Sequence, residues 1–119
     1  MIYLLITGSR TFTGVHLLNQ VLDEFINDHW DEEIVLIEGG ARGADQLARD
    51  YCRDKGLPCF EFPANWYEEG KAAGFIRNSR MAGCWATHAI AFWDGQSNGT
   101  RQSIEQCQKH KVELLVVKF

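Results

Sequence analysis

Proline is scarce in this chain, 2 of 119 residues, and long apolar stretches are missing altogether. Uninterrupted apolar runs such as Ile2 to Ile6 and Ala89 to Trp93 fall far short of the ~20 residues a membrane-spanning helix needs, so no membrane partner is expected. The N-terminus enters a strand-like segment with no basic region and no small-residue cleavage site, which points to the cytoplasm. Metal-binding spacing is missing too. Cys52, Cys59, Cys84 and Cys107 include no Cys-x-x-Cys pair and no histidine at ligand spacing, and His16, His29, His88 and His110 are scattered. The cysteines read as reduced small hydrophobes, and neither a metal nor another cofactor is expected. Basic charge is in deficit: a formal net charge of -4 argues against a protein that coats nucleic acid by neutralising phosphates. Two nucleotide signatures are absent as well. No Gly-Lys-Ser/Thr closes a Walker A loop, since Gly70-Lys71 runs into Ala72, and no Gly-x-Gly-x-x-Gly occurs, which counts against kinases and dinucleotide oxidoreductases.

What is present suits one ordinary domain spanning residues 1–119. With 45% hydrophobic residues, a chain of this length buries roughly 65% of its unfolded surface without disulfide or metal staples. Ile2 to Thr7 is a buried-type strand ending at Gly8, and Val15, Leu18, Leu22, Phe25 and Ile26 recur at helical spacing. The pattern repeats with a strand at Ile34 to Ile37 and a helix carrying Ala44, Leu47, Ala48, Tyr51 and Cys52, closed by Gly56. Strands at Cys59 to Phe62, Ala89 to Trp93 and Leu114 to Val117 follow, with helices from about Glu69 to Trp85 and from Thr100 to about His110. Five strands that are apolar throughout, alternating with four helices, predict an α/β fold. The expected form is a single doubly wound, Rossmann-like domain whose mainly parallel five-stranded sheet has helices on both faces.

In such folds ligands sit outside the carboxyl ends of the strands, which directs attention to four loops. Residues 8–12 carry a charge of +1, 38–45 carry -1, 70–80 carry +3 and 94–101 carry zero, leaving -7 on the rest of the chain. A positive edge on an acidic protein suits a compact anion such as a nucleotide phosphate. The Gly39-Gly40-Ala41-Arg42-Gly43 turn lies between a strand and a helix, where glycines let backbone N–H groups approach an anion, although such a turn also makes a plain tight bend. Asp94 and Thr100 flank Gly95, Ser97 and Gly99 at the start of the last helix, a second N-terminal anion site or a simple cap.

Four motifs in order carry a family resemblance: Gly8-Ser9-Arg10; Gly39-Gly40-Ala41-Arg42-Gly43-Ala44-Asp45; Ala64-Asn65-Trp66 with Gly70-Lys71-Ala72-Ala73-Gly74, Arg77-Asn78 and Met81; and Asp94-Gly95-Gln96-Ser97-Asn98-Gly99-Thr100. The chain resembles the YspA-like branch of the SLOG superfamily, Rossmann-like proteins that include the LOG phosphoribohydrolases and the DNA-processing protein DprA. The resemblance implies a nucleotide or nucleotide-derived ligand, in several branches in a sensor or regulatory role, and in the LOG branch hydrolysis of a nucleotide N-glycosidic bond. The Pro-Gly-Gly-x-Gly-Thr-x-x-Glu motif of LOG enzymes is absent, and the aspartate usual before the tryptophan is Asn65 here.

Arg10 offers the bidentate geometry a phosphate or carboxylate accepts. Arg77 with Asn78 forms a candidate phosphate and ribose pair, with Lys71 near by in sequence, and Arg80 shares a helix face with Arg77. Asp45 reads as a complement to the helix dipole, a ribose acceptor or a general base. Glu38, after a buried strand, is the other candidate acid or base should the protein be an enzyme. Ser9 has no base at fixed spacing and reads as a hydrogen-bonding residue rather than a nucleophile. Trp66 and, more remotely, Trp93 adjoin the loops where an indole can stack on a base. Binding of a nucleotide-derived molecule is the leading expectation. A phosphoribohydrolase is the alternative, and single-stranded DNA binding of the DprA kind is disfavoured by the acidic remainder. A homo-oligomer is expected, because 4 tryptophans are many for the core of a 119-residue chain and because related proteins often dimerise.

Overall fold

Leu4, Leu5 and Ile6 are consecutive and all essentially buried, which a strand achieves only when both of its faces are covered. In the computed structural model, which describes all 119 residues, that strand is β1 (Ile2–Gly8). It is followed by α1 (Val15–Asp28), β2 (Ile34–Glu38), α2 (Ala44–Lys55), β3 (Cys59–Glu61), α3 (Trp66–Glu69), α4 (Ala73–Arg80), β4 (His88–Trp93), α5 (Asn98–Lys109) and β5 (Glu113–Lys118). The sheet order is β3-β2-β1-β4-β5 and every neighbouring pair is parallel, with Ile2 beside Ile34 and Gly8 beside Phe92. The expected doubly wound α/β architecture is the one observed, and the sheet is wholly parallel.

Two separate cores explain the alternation. Ile2, Leu4 and Ile6 pack with Leu18 and Leu22 of α1 and with Ala48, Tyr51 and Cys52 of α2. Leu5, Ile37 and Ala89 face the other way, against Met81, Ala82 and Cys107 from the α4 and α5 side. β1 therefore hands the chain to a helix on one face and its neighbour β4 hands it to a helix on the other. That divergence opens a crevice at their carboxyl ends.

Three departures from the sequence reading have local causes. The helix expected from Glu69 to Trp85 starts earlier and is interrupted. Asn65 accepts a hydrogen bond from the Glu68 N–H at 3.2 Å and starts α3. Gly70, at φ 61°, then breaks the run into a 3-10 turn (Gly70–Ala72) before α4, and a π-helical turn (Met81–Trp85) ends it. The third strand stops at Glu61 rather than Phe62. β5 is an edge strand, so Leu115 and Val116 stay exposed although the run looks like a buried one.

Candidate functional site

The crevice between β1 and β4 is a cleft of about 400 Å³, closed on one side by α4 and the chain leading into it. Its lining takes Gly8, Ser9 and Arg10 from the end of β1, Ala41 and Asp45 from the start of α2, and Trp66, Lys71, Arg77 and Asn78 from the α3–α4 segment. Asp94, Ser97, Gly99 and Thr100 complete it from the turn into α5. Residues some ninety positions apart in sequence meet because parallel strands align all their following loops at one sheet edge.

Gly8 is required by close approach: a Cβ there would lie 2.6 Å from the Ala44 Cβ and 2.7 Å from the Phe92 carbonyl oxygen. Next to it Ser9 is buried and ties the two strand ends together, its N–H donating to Phe92 O at 3.0 Å and its Oγ accepting from Asp94 N at 3.4 Å. The Ser97 hydroxyl donates to Asp94 Oδ2 at 2.9 Å and lies 2.8 Å from Ser9 Oγ, which completes the chain as a donor. Asp94 Oδ1 accepts the N–H groups of Ser97 (2.8 Å) and Gln96 (2.9 Å), and those bonds hold its carboxyl down at about 2.

This network spends the Ser97 side chain within the turn, so it does not cap α5. The N–H groups of Asn98, Gly99 and Thr100 carry no backbone hydrogen bond, Arg101 being the first to donate, to Ser97 O at 3.1 Å. Thr100 is 3% exposed, lines the cleft, and its hydroxyl enters none of the chain's hydrogen bonds. Free donors at a helix start give the cleft a partial positive charge at that end.

The glycine turn is arranged differently from the sequence expectation. Gly39 N and Ala41 N donate to Asp45 Oδ2 at 3.1 and 3.2 Å, and Gly40 N donates to Glu38 Oε2 at 2.5 Å. The donors expected for a phosphate are held by the chain's own carboxylates. Of that stretch only Ala41 and Asp45 line the cleft, while Glu38, Gly39, Gly40, Arg42 and Gly43 lie outside its wall, as does Gly95. Glu38 is fully buried and ion-paired to Arg49 (3.2 Å), which also reaches Glu61 at 3.1 Å. Burial raises the Glu38 carboxyl above its ordinary value, but its contacts are structural ones. Asp45 is 6% exposed, and burial pushes it up to about 6, against the pull of its two N–H donors and of Arg77.

Arg77 is half-buried and works in two directions. Its Nε donates to Asn78 Oδ1 at 2.8 Å and its Nη1 to the Gly39 carbonyl, so it pins α4 to the glycine turn while facing the cleft. Burial lowers its pKa. Arg80 turns away and pairs with Glu69 at 2.9 Å, and Trp93 braces the last loop, donating to Ser97 O at 3.1 Å beneath the Arg101 and Lys118 side chains. Neither lines the cleft. Its charged wall is thus Arg10, Lys71 and Arg77 against Asp45 and Asp94, net positive as the loop charges implied. Thr7, Thr11, Gly74, Phe75 and Met81 also line it. Gly74 and Met81 were legible in retrospect: with Arg77 and Asn78 they fall at i, i+3, i+4 and i+7, one face of α4.

Fold and cleft together define a small Rossmann-like α/β protein with an open, net cationic crevice at the switch point of its sheet. The family model described as "YspA, cpYpsA-related SLOG family" matches residues 3–68. The Gene 61 protein of Mycobacterium phage D29 is 32% identical over 117 residues, covering 93% of this chain and 92% of that one. The chain belongs to the YspA, cpYpsA-related SLOG family, as its motifs had suggested, and membership supports a nucleotide-related role in general. No solved structure matches it significantly, and no helix is long and apolar enough to cross a membrane.

Proposed function

We propose that the cleft binds a nucleotide or nucleotide-derived ligand in a sensor or regulatory role, with its phosphate at the start of α5 and its base against Trp66. One observation carries this reading: the free N–H groups of α5 and the Thr100 hydroxyl, which has no partner within the chain, open into the same cleft as Arg10, Lys71 and an exposed indole. Anion donors and an aromatic face in one 400 Å³ space match the two ends of a nucleotide. Arg77 and Asn78 flank the ribose side, and the glycine turn, its N–H groups occupied, contributes only Ala41 to the wall.

Thermal unfolding with nucleoside mono-, di- and triphosphates, cyclic nucleotides, NAD, ADP-ribose and inorganic phosphate tests it. A true ligand at a hundred times its Kd adds ~2.7 kcal/mol, a shift of roughly 10 °C for a domain of this size. A panel in which no nucleotide shifts the midpoint, or in which inorganic phosphate does as well as every nucleotide, overturns the reading.

A second reading, phosphoribohydrolase activity, is favoured by Asp45, a cleft carboxyl whose pKa near 6 suits general acid or base work. It predicts free base released from a nucleoside monophosphate, lost in Asp45→Asn. Absence of base on chromatography after prolonged incubation removes it. Self-association is also proposed: Trp30, Trp66 and Trp85 are at least half exposed rather than core. Light scattering that finds only a 13.6 kDa species refutes that.

A further inference from the structure

Outside the cleft, two cysteines stand together at the joint between α2 and β3. Cys52 lies in the last full turn of α2 with 1% exposure, and Cys59 is the first residue of β3, half-buried on a sheet edge. Cys59 sits in register with Leu36 and packs against the same core cluster as Cys52, so its side chain points to the α2 face of the sheet. The chain between them is pinned at both ends. Gly56, at φ 72°, turns the helix end, Leu57 N donates to Cys52 O at 2.9 Å, and Leu36 N donates to Pro58 O at 3.0 Å. Within that frame each thiol shifts the other, Cys59 raising the pKa of Cys52 and Cys52 lowering that of Cys59.

We propose that Cys52 and Cys59 are a thiol pair that closes to a reversible disulfide, with small-molecule disulfides as oxidant and Cys59 as the attacking sulfur. The assignment of roles follows from surroundings. Cys59 is reachable from solvent, and the neighbouring Cys52 thiol, helped by the Arg49 guanidinium, lowers its pKa against burial and the Glu38 and Glu61 carboxylates. Cys52 is kept a thiol by the neighbouring Cys59 and by its burial. The Cys59 thiolate attacks one sulfur of an RSSR disulfide and expels RS⁻, leaving a Cys59–SR mixed disulfide. Cys52 then loses its proton to solvent and attacks the Cys59 sulfur, expelling the second RS⁻. Two protein thiols are oxidised and one RSSR is reduced to two thiols. The bond staples the end of α2 to the edge of the sheet.

The other cysteines serve as comparisons, since Cys84 is exposed and Cys107 is fully buried with burial holding its thiol up at about 11. The test treats the native chain with oxidised glutathione, blocks free thiols, and digests with trypsin without reduction. Cleavage after Arg49, Arg53, Lys55 and Lys71 places Cys52 in peptide 50–53 and Cys59 in peptide 56–71. The expected product is those two peptides joined, lighter than their sum by two hydrogens, separated again by dithiothreitol, and derived from monomeric chain on a non-reducing gel. In Cys52→Ala the second step is blocked, so a glutathione adduct accumulates on Cys59; in Cys59→Ser neither the link nor an adduct on Cys52 forms. A parent protein in which Cys59 stops at the glutathione adduct, or in which the link arises only between molecules, overturns the proposal.

Discussion

Replacing Asp45 by Asn tests the electrostatics of the cleft wall directly. Asp45 is 6% exposed, and its Oδ2 accepts from Gly39 N and Ala41 N, a role the Asn Oδ1 can take over unchanged. Burial, outweighing the N–H donors and Arg77, pushes its carboxyl up to about 6 in the folded chain from the ordinary 3.8. The folded state then holds the proton more tightly than the unfolded chain. Between those two values it carries more protons, so stability falls as pH rises through the window and the loss is complete above about pH 7. At 1.36 kcal/mol per unit the full effect is about 3 kcal/mol, or roughly 10 °C in Tm. Asp45→Asn cannot lose a proton, so it matches the parent at pH 4 and exceeds it by up to about 3 kcal/mol at pH 8. Urea unfolding of both proteins at the two pH values measures the difference, and subtraction removes the parallel contribution of Glu38, which burial also raises. A parent-to-variant difference that does not change with pH, or a variant less stable than the parent at pH 8, refutes the reasoning.

Four further outcomes follow from the same contacts. Phosphate-ligand affinity rises as pH drops through about 6, because protonating Asp45 removes one of the two negative charges lining the cleft; titration calorimetry at pH 5.5 and 8 reads it. Thr100→Val, close in shape but without the hydroxyl, weakens nucleotide binding by ~1.5–3 kcal/mol at unchanged fold, the worth of a hydrogen bond to a charged group; equal binding by parent and variant would contradict the α5 subsite. Trp66→Ala costs ~1–3 kcal/mol of nucleotide affinity and leaves inorganic phosphate binding alone, since only the base stacks. Gly8→Val destabilises the chain by ~1–3 kcal/mol or more, because even the first carbon meets Ala44 Cβ at 2.6 Å and the Phe92 carbonyl oxygen at 2.7 Å; denaturant titration of the variant checks it.

The elements were legible wherever apolar spacing was strong. β1, β2 and β4 read as buried strands because both of their faces are covered, and the stripe Ala44, Leu47, Ala48, Tyr51 and Cys52 marked α2 because one side of it meets the sheet. The α3–α4 segment was not legible, since its break depends on Gly70 taking φ 61° and on the Asn65 cap, each a choice among conformations that local pattern leaves open. β5 looked buried because its residues are apolar, but an edge position is a property of the sheet.

The same division runs through the site. Its loops, their net positive charge and the residues Ser9, Arg10, Lys71, Arg77, Asn78 and Thr100 follow from the sequence alone, because a parallel sheet delivers every strand-to-helix loop to one edge. Which donors remain free did not follow from it. Asp45 and Glu38 fold back onto the glycine turn and occupy its N–H groups, whereas Ser97 bonds to Asp94 and Ser9 and leaves the start of α5 open. Partner choice among hydrogen-bonding groups depends on distances between loops far apart in the chain, and only the packed tertiary structure sets those distances.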